Sequence, residues 1–541
     1  MFVSAALLAL AVPAYGQITA DSAERAPDHF PIYAIDVVGV TKLAAGDIEK
    51  IIYKFTGEDR TGADVEEARK AIQTAYTAKG YEAVVVEIPT QPTELFQQGI
   101  VQIKVSEAPV GRVQVVDARF HSQKGLRQQI PSLREGQPLD MQQLQTDLNS
   151  ANRYPDRIVE PSFKAGQEPG TVDVDLKVKD EFPVHASFDL NNDNSPSTTS
   201  LRLSGSARYT NLWGEGHTVS ASFVLAPRNK RESSVISGSY SAPIIGSPWT
   251  LLLYGYKSNS NIAALGGTNV LGNGYQVGAR AIYRLPAASV SHSISFGPDF
   301  KDFKQDVFVG GIKAGAAPIR YVPLVLEYNM AGGDGDRESF DANIGATLGL
   351  RTIKKVRLDC NNTSFGQVCN PVDQFQDKAI DSIENFVHLN AGFTYQLATK
   401  SEIVAKFSWQ AQLSDVHLVA NEQFGIGGLS SVRGYFQSEA VADSGFTSSF
   451  ELQSPSMASF FGDYVDELRV YGFVDNGYTV LVGRKPLGQQ DEFRLLSAGG
   501  GARIRLFDRV SGEVLFGVPL IAGPVSKKGD PRITFQIKSE F

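Results

Sequence analysis

LRLSGSARY, residues 201–209, places Leu201, Leu203, Gly205, Ala207 and Tyr209 on one face of an extended chain and Arg202, Ser204, Ser206 and Arg208 on the other. Successive side chains of a strand point to opposite faces, so this stretch reads as a strand with one apolar and one polar side. The last ten residues, RITFQIKSEF, repeat the device: Ile533, Phe535, Ile537 and Phe541 oppose Arg532, Thr534, Gln536, Lys538 and Glu540. Alternating segments of about 9–11 residues recur from Glu181 to the end without a helical stretch between them, and that length crosses a bilayer obliquely. A soluble sandwich also alternates, but its strands average about 5–6 residues. At about 22 residues per strand and connection, residues 182–541 accommodate about 16 antiparallel strands, an even number as a closed barrel requires. The expected fold of this region is an all-β transmembrane barrel, apolar face to lipid and polar face to a lumen.

Composition agrees. Of 541 residues, 51 are Gly, 31 Phe and 19 Tyr, against 4 Met and 3 Trp, a profile of extended structure with tight turns. The formal charge of −8 is small for this length, so no nucleic-acid partner is expected. No run of about eighteen apolar residues offers a spanning helix, which leaves strands to do any crossing. The opening MFVSAALLALAVPAYGQ has an apolar run of about 14 residues closed by Ala14-Tyr15-Gly16, a small-x-small pattern, and reads as a signal peptide over residues 1–16. It lacks a basic n-region, which suggests a start further upstream.

Residues 17–30 form a short N-terminal segment, and the texture then changes. YAIDVVGV (33–40) alternates as a strand, while AAGDIEKIIYKF (44–55) and DVEEARKAIQTAYTAKG (64–80) carry apolar residues at helical spacing, the second ending on a Gly stop. EAVVVEIP and GIVQIKVSE follow as strands. The same strand–helix–helix–strand–strand order recurs through GRVQVVDA, KGLRQQIPSL, DMQQLQTDLNSAN, IVEPSFKAG and TVDVDLKVKD. Two α+β modules are therefore expected, at 31–107 and 108–181, ahead of the barrel.

Chemistry-bearing motifs are sparse. Cys360 and Cys369 stand in DCNNTSFGQVC, and an exported chain meets an oxidising compartment, so a local disulfide is expected. The seven His are scattered with no i, i+4 pair, and neither a metal nor a cofactor is expected. The sequence holds no G-x-S-x-G, H-E-x-x-H or Walker loop, and GIGGLS (425–430) lacks a surrounding βαβ unit, so an enzyme is not expected.

Five runs carry a resemblance: YTAKGYEAVVVEIPTQ…GIVQIKVSEAPVGRVQV (76–116), NRYPDRIVEPSFKAGQEPGTVDVDLKVKDEFP (152–183), NLWGEGHTVSASFVLAP (211–227), VRGY (432–435) and FVDNG (473–477). With the order signal peptide, two modules, barrel and terminal Phe541, the chain is similar to the outer-membrane transporters of two-partner secretion. These form the haemolysin secretion/activation family of the Omp85 superfamily. The resemblance makes the modules POTRA domains in the periplasm and VRGY the tip of a loop folded into the barrel. It pairs Arg433 with Asp475, with Val432, Gly434 and Tyr435 at the tip, Glu439 as a nearby acid, and Phe473 and Gly477 on the FVDNG strand. A guanidinium in a narrow lumen needs such a carboxylate, and its planar fork suits one. In SAGGGARIRL, Gly499, Gly501 and Arg503 share the lumen parity, the glycines leaving room for the tip. Phe541 would be the signal read by the barrel-assembly machinery. The implied partner is a secreted, β-helical exoprotein, unfolded in the periplasm.

Two other functions stay open: a barrel-assembly factor, whose relatives usually carry three or more POTRA modules, and a passive diffusion porin, which needs neither modules nor VRGY. One departure stands out. Many family members begin with a helix that plugs the barrel, but only about 14 residues separate Gln17 from Phe30, too few at about 1.5 Å per residue to thread a barrel and return. Either the plug is absent or the N-terminus is incomplete.

Overall fold

The structure, a computed structural model, describes residues 29–541 apart from 82–83, 153, 155, 197, 231, 266–267, 287–289, 310–311, 336, 351–360, 364–365, 369–373, 379–380, 463 and 484–489. The signal-peptide and N-terminal readings over 1–28, and the pairing of Cys360 with Cys369, lie outside the described residues. Contacts divide the chain into two compact units. Among the described residues, one holds 29–117, 130–153 and 159–178; the other holds 118–129, 154–158 and 179–541.

The first module is organised by the helix Gly62–Ala78. Val65, Ala68, Ile72 and Tyr76 recur every three or four residues along it, and all are buried. Thr61 and Asp64 close its N-terminus as a capping box. The helix packs with Ala45–Ile52 on a three-stranded sheet ordered Ala34–Val38, Ile100–Ser106, Val85–Glu87, whose inward Ile35, Val86, Val101, Ile103 and Val105 complete the core. Ala34–Val38 and Val85–Glu87 are edge strands of that sheet. The Tyr76 hydroxyl escapes burial without a partner by donating to Glu107 Oε1 at 2.5 Å. Thr41 N and Lys42 N donate to the same oxygen at 2.8 and 3.0 Å. The second module repeats the order, with strands Val110–Val116, Val172–Asp180 and Arg157–Ala165 side by side and helices Gln123–Gln129 and Met141–Ala151.

From Val184 onward sixteen described strands, each antiparallel to the next, form a closed barrel. Large apolar residues such as Leu251, Leu253, Val277, Leu326, Ile344, Val470, Val474, Phe516 and Ile533 point outward and are exposed. Their strand neighbours Gln276, Arg280, Asp299, Thr447, Glu451, Asp475 and Thr479 are buried in the lumen. Such an outer surface is untenable in water and suits hydrocarbon. Strand length departs from the expectation in one sector: the fifth to eighth strands, Trp249–Leu265, Thr268–Leu285, Val290–Val309 and Ile312–Gly333, run for 17, 18, 20 and 22 residues. Beyond the lipid nothing demands an outward apolar residue, so the period that marks a spanning strand fades while the hydrogen-bonded ladder continues.

The ring closes where the last strand, Arg532–Glu540, meets the first, Val184–Asn191. This seam has five residue pairs, against eight between the first two strands. Ala186 and Phe541 add two backbone bonds, Ala186 N donating to Phe541 O at 3.0 Å and Phe541 N to Ala186 O at 2.9 Å.

Candidate functional site

Between the eleventh strand, Val404–Ser414, and the twelfth, Ser444–Gln453, residues 415–443 turn back into the lumen. The wall that receives them comprises the twelfth to fifteenth strands, the last three being Val465–Val480, Glu492–Leu506 and Val510–Pro519. Antiparallel register lines their inward residues up in rows. Ser449 faces Asp475; Glu451, Phe473, Gly499 and Gly517 form the next row; Gln453, Tyr471, Gly501 and Leu515 the one after; Arg503 pairs with Glu513 in the row beyond.

Arg433 docks into this grid. Its Nε donates to Asp475 Oδ2 and its Nη2 to Asp475 Oδ1, both at 2.8 Å, and its backbone N donates to Oδ2 at 2.9 Å. Nη1 donates to Glu451 Oε2, and Nη2 also reaches Ser449 Oγ at 3.0 Å. The guanidinium lies 3.7 Å above the centroid of the Phe473 ring. Asp475 is fully buried, so its charge is tenable only because the fork, a backbone N–H and the Ser449 hydroxyl (2.7 Å) saturate it. Glu451 is shared: Arg503 Nη1 donates to its other oxygen at 2.5 Å, while Arg503 Nε donates to Glu513 Oε1 at 3.0 Å. Tyr471 donates to Glu513 as well. A chain of two guanidiniums and three carboxylates thus runs across four strands.

The rest of the tip fits by shape. Val432 and Tyr435 are buried with Ile426, Ala440 and Leu495, and the Tyr435 hydroxyl donates to Leu496 O and Ile521 O at 2.9 and 2.7 Å. Gly434, at φ +90°, lies so close to the wall that a Cβ on Gly517 would stand 2.8 Å from its Cα. A Cβ on Gly477 would stand 2.8 Å from Val432 Cγ2. Gly499 and Gly501 do something else than expected. The space above them is taken by the rings of Phe473 and Tyr471, and the glycines that admit the loop tip are Gly477 and Gly517. Glu439 fastens the loop to the outer connection 520–531, accepting from Val525 N, Ser526 N and Ser526 Oγ at 3.0, 2.7 and 2.5 Å. Phe541 is remote from all of this, its ring exposed on the outer wall. Sequence reasoning missed Glu451, Glu513 and Gly517. The signal for Glu451 was its parity: in SSFELQ it shares the lumen face with Ser449, level with the arginine's reach.

The comparisons with known proteins come to the same two regions. Residues 30–108 match the model of the ShlB-type POTRA domain, and residues 339–504, which hold VRGY and FVDNG, match that of the haemolysin secretion/activation protein ShlB/FhaC/HecB. The heme/hemopexin transporter protein HuxB of Haemophilus influenzae is 20% identical over 457 residues, spanning 80% of this chain and 75% of its own. Among solved structures, CdiB from Escherichia coli superposes with a TM-score of 0.65 at 19% identity, covering 96% of this chain and 92% of its own. BamA from Haemophilus ducreyi lacking POTRA domains 1–3 gives 0.54 at 14% identity, with 95% and 100% coverage. These likenesses are of fold.

Proposed function

We propose, from the premise that the chain belongs to the haemolysin secretion/activation family of the ShlB/FhaC/HecB type, that it is the outer-membrane pore of a two-partner secretion system. The observation that carries this reading is the loop seated in the lumen by Arg433: a barrel that holds a segment of its own chain across its lumen is suited to gated passage. The modules extend into the periplasm and meet an unfolded exoprotein there. Edge strands such as Ala34–Val38 and Val85–Glu87 offer main-chain hydrogen bonds to an added strand with little demand on its sequence. The exoprotein then crosses the barrel when the loop rearranges. No nucleotide drives the step, and folding of the exoprotein outside supplies direction.

The test is secretion of a single exoprotein. Deleting residues 30–180 while keeping the barrel should abolish release of the co-expressed exoprotein and leave other outer-membrane barrels assembled normally. A general loss of barrel assembly on removing the whole protein would favour the assembly-factor reading instead.

A further inference from the structure

The same loop is held a second time, at its stem and on the other side of the lumen. Leu418 and Val419 are buried against Phe303, Tyr321, Phe375 and Phe386. Three residues on, the Glu422 carboxyl accepts from Lys301 Nζ and from the Tyr321 hydroxyl, each at 2.5 Å, and His388 Nε2 stands 3.3 Å from its other oxygen. Gln412 Nε2 gathers the two legs of the loop, donating to Glu422 O at 2.8 Å and Asp443 O at 3.0 Å. Lys301, Tyr321 and His388 sit on the seventh, eighth and tenth strands, the last being Val387–Ala398. The tip rests on the twelfth to fifteenth. In a ring of sixteen, the seventh and fifteenth strands are diametrically opposed. The loop is therefore a strut across the lumen, pinned at both walls. Beside the stem lies a cavity of about 710 Å³ whose lining is largely amide, hydroxyl and charged, including Gln276, Arg280, Asn390, Gln410, Glu422 and Ser430.

The two pins differ in kind. The tip pin is a planar fork with two carboxylates, a ring face and a backbone N–H, and freeing it strands the fully buried Asp475. The stem pin is one buried carboxylate held by a flexible ammonium, a phenol and an imidazole, at the edge of a polar-lined cavity whose groups can take over its hydrogen bonds when it leaves. We propose that Glu422 is the releasable pin. The pore opens when the stem leaves Lys301 and Tyr321 while Arg433 keeps the tip in place, and the extended exoprotein runs through the cavity so widened. A lining of amides and hydroxyls, without a large apolar patch, lets a peptide backbone pass without sticking.

This rests on the secretion reading, so the test has one readout that involves no exoprotein. In planar bilayers, purified full-length Glu422→Gln should show an open fraction raised about tenfold or more over the parent, the shift expected from weakening one pinning ion pair. The exchanged pair Lys301→Glu with Glu422→Lys should bring it back down. Parent-like conductance of Glu422→Gln would overturn the proposal, whatever the protein secretes. A second variant, Lys301→Cys with Glu422→Cys, tests the moving part. A bis-maleimide with a cleavable disulfide, long enough to span the two removed side chains, should hold the channel shut and stop secretion, and a reductant should restore opening and secretion. Secretion at the parental rate through the cross-linked barrel would overturn it too.

Discussion

At the scale of the residue, Arg433 answers to more than one partner, and that changes what its loss should do. Arg433→Ala leaves Asp475 with only Ser449 and the backbone N–H, and takes from Glu451 one of its two guanidiniums. Asp475→Ala leaves Arg433 still held by Glu451. Removing one partner of a buried pair costs about 3–5 kcal/mol, less where lumen water intrudes. Arg433→Ala should therefore impair channel closure and secretion more than Asp475→Ala, with the double variant no worse than Arg433→Ala, and Arg433→Lys should rescue little because an ammonium cannot fork. Conductance and secretion measured on all four variants check this; equal effects of the two alanine substitutions would mean that Glu451 contributes nothing. In the first module, Glu107 is a titrating residue. Burial pushes its carboxyl up, but hydrogen bonds from Thr41, Tyr76 and Lys42 outweigh that and hold it below its ordinary value of 4.5. A carboxylate held low in the folded state stabilises above its unfolded value, and the contribution is lost as pH falls through about 4.5 towards the folded value. Tyr76→Phe should cost about 1.5–3 kcal/mol at neutral pH, the worth of a hydrogen bond to a charged group. It should also flatten the acid limb of the module's stability, read by hydrogen exchange of its helix amides at pH 7 and pH 4.

Elements tell how far the sequence could be read. The alternation of LRLSGSARY and RITFQIKSEF made the barrel legible because lipid imposes a period of two on every crossing strand. The helical spacing of Val65, Ala68, Ile72 and Tyr76 likewise made the modules legible. What the period could not reveal was register. Which inward residue of one strand lies beside which of the next depends on pairing, and pairing puts Phe473 over Gly499 and leaves Gly517 open for Gly434. VRGY and FVDNG announced an arginine and an aspartate, whereas Glu451 and Glu513, in no named motif, stayed hidden in ordinary strands. Gly517 supplies the test at this scale. Gly517→Val inserts atoms where Gly434 now lies and should cost about 1–3 kcal/mol of overpacking, borne by the loop and not by the ladder. The variant barrel should still resist unfolding in a heat-modifiability gel while its loop becomes accessible to a protease; a protected loop would show that the strand yields instead. The seam offers another. Deleting Phe541 removes both of its backbone bonds to Ala186 from a five-pair join and should lower the amount of inserted barrel, with the surviving molecules conducting as the parent does.

For the whole molecule, strand order sorts the barrel's connections: with every strand antiparallel to the next, the connections after odd-numbered strands, 415–443 and 520–531 among them, leave from the rim opposite Val184, and the secretion reading makes that rim the outer one and expects residues 30–180 in the periplasm. Protease added to intact cells should spare 30–180 and cut, if anywhere, in outer connections such as 520–531; cleavage of the modules before the outer membrane is opened would reverse that orientation. Chain order adds a consequence of the loop's seating. Ser449, Glu451, Asp475, Leu496, Gly517 and Ile521, which grip the tip, all come after Arg433 in the chain. Contacts that wait on distant segments form late. A nascent molecule arrested before its final strands are laid down therefore holds the stem on Lys301, Tyr321 and His388 but has no seat for the tip. Seating of Arg433 is then a certificate of completion: only a copy whose last strands are in place can hold it.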